Sequence, residues 1–364
     1  MASQVTNYKC PACTGPLHFA GDSGKLECDY CGSSFTVDEI EALYAEKVED
    51  AIEESIKHEA AAVQAQEENT WGDEAKDLIT YSCPSCGAEL ICDATTAATS
   101  CPYCGNPTII PGQFHGGLKP DYVIPFKLDK EAAKAALKKY YKGKKLLPKT
   151  FSKDNHIEEI KGVYVPFWLF DGEAKADVRY HATRVHSHVE GDYNVIVTEH
   201  YKVRRAGSVS FSKVPVDASS KMPDAHMDSI EPFDYSEMKE FSTAYLPGYL
   251  ADKYDVSESE CKDRATGRAA NSIESMVNST TIGYTTCLPE QKNVQVVPEK
   301  AKYVLLPVWM LSTRWNGNNY LFAMNGQTGK FIGDLPISKG RFLEWFLKIS
   351  LPITAILGAF MYLA

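Results

Sequence analysis

The sequence lacks the features of several common protein classes. It has no excess of positive charge, because 38 lysines and arginines stand against 48 aspartates and glutamates, which argues against a protein that simply coats a polyanion. Residues 1–8 are polar and do not form a basic segment followed by an apolar one, so we expect no signal peptide and a cytoplasmic bulk of the chain. The hydrolase motifs G-x-S-x-G and H-E-x-x-H are absent, and we expect a protein that is not an enzyme.

The chain is long and rich in cysteine. Its 364 residues, of which 44% are hydrophobic and 24% charged, suffice for two or three domains with a real core. Eleven cysteines are present. In a reducing compartment, metal ligation explains so many cysteines better than disulfides do.

Eight of the cysteines follow one spacing twice. Each set reads C-x2-C, fourteen residues, C-x2-C. Four thiolates complete a tetrahedral zinc site and leave no position open, which is typical of a structural site. A module of about thirty residues needs such a metal to fold. We therefore predict two structural zinc ions, one held by Cys10, Cys13, Cys28 and Cys31 and the other by Cys83, Cys86, Cys101 and Cys104.

The two cysteine modules are copies of each other. Residues 8–35 match residues 81–108 at an offset of 73, which indicates an internal repeat. Thiolate tetrads also bind iron, as in a rubredoxin-like site. Cys92 is a spare cysteine in the second module, either a packed thiol or an alternative ligand. Cys261 and Cys287 are expected to be ordinary buried cysteines.

Charge is distributed unevenly along the chain. Residues 38–77 carry fourteen acids and three bases, a net −11, with an apolar residue at every fourth position from Ile40 to Ile56. This pattern predicts an acidic helix that lies on the chain's own domain or on a partner. Residues 127–153 carry ten lysines and two acids, a net +8. Both segments are either solvated helix faces or binding surfaces.

The remainder of the chain predicts helices and strands in alternation. Asp129 and Ser257 are the expected N-caps of helices over 130–142 and 258–278. Asp171-Gly172, Asn316-Gly317 and Asn325-Gly326 are strong hairpin signals. Between these signals we expect strands over 163–170, 174–185, 193–204, 208–214, 303–315, 319–324 and 327–332. Residues 163–168 resemble residues 304–309, which suggests a duplicated helix–strand–strand unit.

The C-terminal segment predicts a transmembrane helix. Residues 349–364 form a run of 16 without a charge, and a bilayer core needs roughly 20. Adding residues 345–348, with Lys348 reaching toward the headgroups, brings the length into range. Lys339 and Arg341 precede the run, so the large domain is expected on the cytoplasmic side. The alternative is a buried C-terminal helix.

Together these patterns predict an α+β multidomain protein in the cell membrane, with a single-pass C-terminal anchor and most of the chain in the cytoplasm. The expected domains are two four-cysteine zinc ribbons, an acidic helical linker, a duplicated helix–strand–strand α+β domain and a transmembrane helix. Their expected boundaries are 1–36 for the first ribbon, 37–78 for the linker, 79–112 for the second ribbon, 113–338 for the α+β domain and 339–364 for the anchor.

Two further patterns could carry chemistry. His181, His186, His188 and His200 fall on adjacent predicted strands, where they form either a second metal or acid–base site or a solvated face. Residues 326–330 contain Thr-Gly-Lys, but the glycine that a phosphate loop requires is replaced by Met324. We therefore do not expect an ATPase.

Several motifs together carry a family resemblance. They are Tyr-Val-Pro-Phe-Trp-Leu-Phe-Asp (164–171), Leu-Pro-Val-Trp-Met-Leu (306–311), residues 322–330 and the apolar C-terminus. The cysteine modules resemble transcription-factor-IIB-type zinc ribbons. With these motifs, nearly the whole chain is similar to bacterial zinc-ribbon membrane proteins of the YdjG type, some of which are named after a primosomal helicase. The resemblance implies a membrane protein that recruits soluble scaffold proteins in an envelope-stress or phage-shock-like system.

Two main functional hypotheses follow. The first is a membrane-anchored zinc-ribbon adaptor, which binds cytoplasmic or membrane scaffold proteins and contacts the membrane through its C-terminal helix. The second is a zinc-ribbon nucleic-acid-binding protein tethered to the membrane, motivated by the lysines of residues 127–153. The acidic segment beside the ribbons would repel phosphates, so we disfavour nucleic acid as a partner. An enzyme that uses the histidine-bearing sheet is a third, weaker hypothesis.

Overall fold

A computed structural model shows two compact units. The first unit comprises Met1–Val165, Ser219–Lys253 and Leu305–Ala364, and the second comprises Pro166–Ala218 and Tyr254–Val304. The residues that the structure describes are 10–13, 15, 17–20, 25–40, 42–43, 71, 78–93, 96, 100–106, 110–113, 118–148, 151, 159–315 and 317–363.

The first unit contains both cysteine modules and most of the short elements. Its strands are β1 (His18–Ala20), β2 (Lys25–Glu27), β3 (Ser34–Phe35), β4 (Leu78–Ser82), β5 (Glu89–Asp93), β6 (Ile110–Gln113), β7 (Tyr122–Val123), β10 (Lys239–Glu240), β11 (Leu250–Asp252), β14 (Asn318–Asn325) and β15 (Phe331–Gly333). Its helices are α1 (Lys130–Tyr141), α2 (Asp224–Ile230) and α4 (Lys339–Leu363), with short 3-10 helices at Tyr235–Glu237 and Thr243–Tyr245. The second unit contains β9 (Tyr193–Asp217), α3 (Glu258–Ser279) and β12 (Thr286–Pro298). The chain passes from one unit to the other within β8 (Lys161–Glu190) and β13 (Lys302–Trp315).

The predicted α+β class is wrong, because the described part of the chain is built mainly from strands. In the first unit, β1, β2 and β3 form a small antiparallel sheet. The larger sheet has the order β10-β7-β13-β8-β11-β5-β4-β6, with β14 beside β13 and β15 beside β14. In the second unit the order is β9-β8-β12. Four predicted strands merge into the two long strands β8 and β9, of 30 and 25 residues, which increases the β content of the chain.

The Asp171-Gly172 pair shows why these strands merge. The register of β8 against β9 shifts between Phe170 and Gly172, and the Asp171 carboxylate accepts a hydrogen bond of 2.7 Å from the backbone N–H of Lys213. A Cβ on Gly172 would lie only 2.4 Å from the Val297 carbonyl oxygen. The pair therefore forms a β-bulge that lets neighbouring backbone approach closely, and the hairpin turns instead at Gly191, whose φ is +61°.

In the second unit, one face of the sheet packs on α3. Alternate residues of β8, from Ala174 to Ala182, are buried and form one core with Ile273 and Val277 of the helix. The predicted N-cap of this helix is confirmed: Ser257 and Glu260 form a reciprocal capping box. The helix thus covers only the inner part of the long β8–β9 hairpin.

In the first unit, α1 packs on β13 and β14. Ala133 and Leu137 of the helix contact a core that includes Trp309 and Phe322. The predicted N-cap Asp129 is confirmed, because its carboxylate accepts a hydrogen bond of 2.8 Å from the N–H of Ala132. Lys130, Lys138 and Lys139 of this helix are exposed, whereas the Lys134 side chain is only 13% exposed.

The predicted transmembrane anchor is wrong, together with the membrane contact and the cell-membrane location that depended on it. Among the described residues, no helix is both long enough and apolar enough to cross a membrane. The uncharged run of 16 residues is short of the roughly 20 that a bilayer core requires. The turns of α4 before it carry Arg341 and a Glu344–Lys348 ion pair of 2.5 Å.

The predicted acidic helix is described only at its start. Thr36 and Glu39 exchange hydrogen bonds of 2.8 and 3.2 Å in the manner of a capping box, and Ile40 is buried against Leu26. The apolar stripe predicted beyond it, within residues 44–70, lies outside the described residues. The domain boundaries expected from the sequence stay predictions.

Candidate metal centres

The first cysteine cluster is assembled by two tight turns. The backbone N–H of Cys10 donates to the Gly15 carbonyl at 2.7 Å, and that of Cys28 donates to the Ser33 carbonyl at 2.9 Å. Gly32 closes the second turn with a φ of +77°, a conformation that glycine adopts without strain. The sulfurs of Cys10 and Cys31 lie 3.5 Å apart, as do those of Cys13 and Cys28.

The second cluster repeats this geometry. The N–H of Cys83 donates to the Ala88 carbonyl at 2.9 Å, and that of Cys101 donates to the Asn106 carbonyl at 2.8 Å. The sulfurs of Cys83 and Cys104 lie 3.6 Å apart, and those of Cys86 and Cys101 also lie 3.6 Å apart. The repeat seen in the sequence is therefore also a repeat of turn geometry.

Both clusters could hold a metal ion. Within each cluster, the four sulfur atoms all lie within 4.8 Å of one another. Sulfurs bound at about 2.3 Å to one tetrahedral zinc ion are separated by about 3.8 Å, close to the observed separations. All four donors are sulfurs, so an ion bound there would have no open position for a substrate.

The thiols of each cluster perturb one another's ionisation. A hydrogen bond from Cys13 lowers the pKa of Cys10 to about 5, and the same contact raises the pKa of Cys13. In the second cluster, a hydrogen bond from Cys101 lowers the pKa of Cys104, while the pKa of Cys101 is raised. Each cluster therefore favours at least one thiolate, the form that binds metal.

Cys92 lies in β5, outside both clusters. Its thiol donates a hydrogen bond of 3.3 Å to the Thr96 carbonyl, and burial raises its pKa to about 11. A thiol that holds its proton this strongly is a poor metal ligand. Cys261 is likewise buried, and its thiol contacts the Asp217 carbonyl at 3.6 Å.

Two tyrosines fix the clusters to the rest of the first unit, a role that was not predicted from the sequence. Tyr30 lies between Cys28 and Cys31, and its hydroxyl donates a hydrogen bond of 2.5 Å to the Phe151 carbonyl. Tyr103 is its counterpart in the second repeat and donates at 2.5 Å to Asp252, which also accepts a bond of 2.7 Å from Ser219. The recurrence of tyrosine at one position of both repeats was the signal that could have identified them.

Replacing Tyr103 with phenylalanine tests this attachment. Burial raises the pKa of Tyr103 well above its usual value, so its hydroxyl is a stable donor to Asp252, which is only 2% exposed. Tyr103→Phe removes one donor from a buried carboxylate and should lower the free energy of unfolding by about 1–3 kcal/mol. Urea denaturation measures the loss. Tyr193→Phe, at an exposed tyrosine, should leave the free energy of unfolding unchanged. Equal free energies of unfolding for the two variants would contradict the role assigned to Tyr103.

The other candidate residues form no comparable site. His181 and His200 contact each other at 3.1 Å between ring nitrogens, whereas His186 and His188 are exposed. Within the described ranges, the two cysteine clusters are the only groups of three or more potential metal ligands that come close together. The Thr-Gly-Lys segment lies in the turn between β14 and β15, where the Asn325 side chain accepts hydrogen bonds from the N–H groups of Gln327 and Thr328 at 2.9 Å.

Comparison with known proteins identifies one close relative. The chain is 39% identical over 346 residues to a Bacillus subtilis (strain 168) protein with the name "Uncharacterized protein YdjG", and the match covers 95% of this chain and 94% of the relative. The chain belongs to the family of this protein. No family model matches the chain, and no solved structure matches it either.

Proposed function

We propose that this member of the YdjG family is a protein-binding adaptor with two ribbons stabilised by zinc. Zinc is the metal that suits a closed tetrahedral site of four thiolates best, because such a site is structural and has no position for a substrate. The partners that we propose are scaffold proteins. The observation that carries the proposal is an exposed apolar strip at the end of the β8–β9 hairpin.

This hairpin extends beyond the helix that covers its base. Residues 184–194 are exposed on both faces, whereas α3 buries alternate residues of β8 only as far as Ala182. Near the tip, Val189 pairs with Asn194 and Ser187 pairs with Ile196. Since paired residues and alternate residues share a face, Val189 and Ile196 lie on the same side of the hairpin.

The tip has the chemistry of a protein-binding surface. Val189 is 77% exposed and Ile196 is 67% exposed, and Val185 lies on the same face by alternation. An exposed apolar cluster bordered by polar residues is typical of a site that binds another protein. A nucleic acid would instead require a basic surface. The charged residues between positions 189 and 196 are both acidic, Glu190 and Asp192.

Co-purification from the cell of origin tests the adaptor. The full-length protein should retain stoichiometric partner proteins after nuclease treatment, and the double variant Val189→Ser, Ile196→Ser should lose them. Val297→Ser is the matched control, because Val297 pairs with Glu173, about 50 Å along the strand from the tip. Loss of the partners on nuclease treatment, or equal retention by all three proteins, would contradict the proposal.

A further inference from the structure

The first unit contains an apolar groove that the proposed function does not use. It lies between α4 and the segment that follows α1, and its volume is about 630 Å³, within the usual range for small-molecule sites. Phe342, Trp345, Ile349 and Ile353 form its wall on the helix, while Lys145 and Leu146 form the opposite side. From residue 342 to residue 354 the helix provides a wall about 18 Å long.

Positive charge is concentrated at one part of this groove. The Lys145 ammonium lies 4.0 Å from the centre of the Trp345 ring, and the Lys348 ammonium lies 5.7 Å from the same ring. Lys348 is paired with Glu344 at 2.5 Å. No carboxylate belongs to the described lining of the groove, so Lys145 is the cation available to an anionic group placed beside Trp345.

The far part of the groove offers almost no hydrogen bonding. Only two hydroxyls line it, those of Ser350 and Thr354, and the Thr354 hydroxyl donates to the Ser350 carbonyl at 2.8 Å. A peptide segment placed there would bury backbone N–H and C=O groups without partners, which costs several kcal/mol per pair. An alkyl chain has no such groups to satisfy.

We propose that this groove binds a free long-chain fatty acid. The alkyl chain lies along α4 from Trp345 toward Ile353, and the carboxylate lies beside the Lys145 ammonium. The stretch of α4 from Trp345 to Thr354 is about 14 Å long, comparable to most of an extended long alkyl chain. Shorter acids bury less apolar surface and bind more weakly, because the affinity grows with the area removed from water.

Calorimetric titration of the full-length protein in detergent-free buffer tests this site. Myristate below its micelle concentration should bind saturably with one molecule per chain, and octanoate should bind far more weakly. Ile349→Gln should weaken myristate binding about tenfold. Leu343→Gln is the matched control, because Leu343 is an equally exposed residue of α4 that does not line the groove.

A charge reversal tests the position of the carboxylate. Lys145→Glu should weaken the binding of myristate and strengthen that of dodecyltrimethylammonium, a cationic amphiphile. The proposal is overturned if myristate does not bind in monomeric form but the protein binds lipid vesicles. It is also overturned if the Ile349 and Leu343 variants lose affinity equally, or if Lys145→Glu leaves the preference for the anionic chain unchanged.

Discussion

Replacing Cys101 with alanine should release one of two zinc ions and unfold the second cysteine module. Cys101 is buried and lies 3.6 Å from Cys86, so its loss leaves three thiolates around a cavity shaped for four. Structural zinc sites of this type contribute roughly 10–16 kcal/mol of apparent binding free energy at neutral pH. Metal analysis should show two zinc ions per chain in the original protein and one in the variant.

The consequences of this substitution should extend beyond the metal. Tyr103 lies two residues from Cys101, and its bond to Asp252 attaches the module to the larger sheet of the first unit. Unfolding of the module removes a donor from that buried carboxylate, so the thermal midpoint of the whole unit should fall.

The spare cysteine provides the control for this experiment. Cys92→Ala removes another buried thiol of the same module, but one that lies outside the cluster. It should retain two zinc ions and lose only the packing of one sulfur atom, about 1 kcal/mol. Release of metal from the Cys92 variant, or retention of two ions by the Cys101 variant, would contradict the predicted ligand set. Iron in place of zinc would contradict the identity of the metal.

The features that the sequence predicted well depend on short-range chemistry. Asp129 and Ser257 are correct N-caps, because a cap bonds to backbone only three residues away. The helix predicted over 258–278 is also present, and its buried residues include Cys261, Ala265, Ile273 and Val277 on one face, since a helical stripe is a local repeat. The cysteine clusters are of the same kind, with each C-x2-C pair made by one turn.

The features that the sequence missed depend on distant contacts. Asp171-Gly172 signals a hairpin locally, but its role as a bulge is set by Lys213 and Val297, which approach from other strands. Strand β12 has no clean polar–apolar alternation and owes its existence to pairing with β8 over twelve positions. Propensity is a weak guide where such pairing decides the conformation.

The hydrogen bonds that attach the cysteine clusters to the fold also depend on contacts between residues far apart in sequence. Tyr103 and Asp252 are 149 residues apart in sequence, and Tyr30 and Phe151 are 121 apart. The repeat locates each tyrosine, but no local pattern identifies its acceptor. The chemistry of a cysteine cluster was therefore predictable from spacing, whereas its connection to the fold was not.

Replacing Arg264 with methionine should destabilise the second unit strongly. Arg264 of α3 donates to Asp217 at the end of β9 at 2.6 Å, and the Asp217 side chain is only 2% exposed. Methionine preserves much of the side-chain volume but removes the guanidinium from a buried carboxylate. Breaking one partner of a buried ion pair typically costs about 3–5 kcal/mol, a large part of the roughly 5–15 kcal/mol that stabilises a domain. Chemical denaturation measures the difference.

The same unit contains an exposed arginine–aspartate pair with the same shortest N–O distance. Arg204 and Asp177 also meet at 2.6 Å, but the Arg204 side chain is 64% exposed, so Arg204→Met should cost only about 0–1 kcal/mol. A second comparison separates the effect of the ion pair from that of side-chain packing. Adding Asp217→Leu to Arg264→Met also removes the buried carboxylate that has lost its guanidinium, and should recover part of the lost stability. Equal costs for the two arginine variants, with no recovery in the double variant, would show that burial of the Asp217 carboxylate does not make this pair important. Because the two pairs share residue types and distance, a larger cost at Arg264 can be attributed to its buried environment.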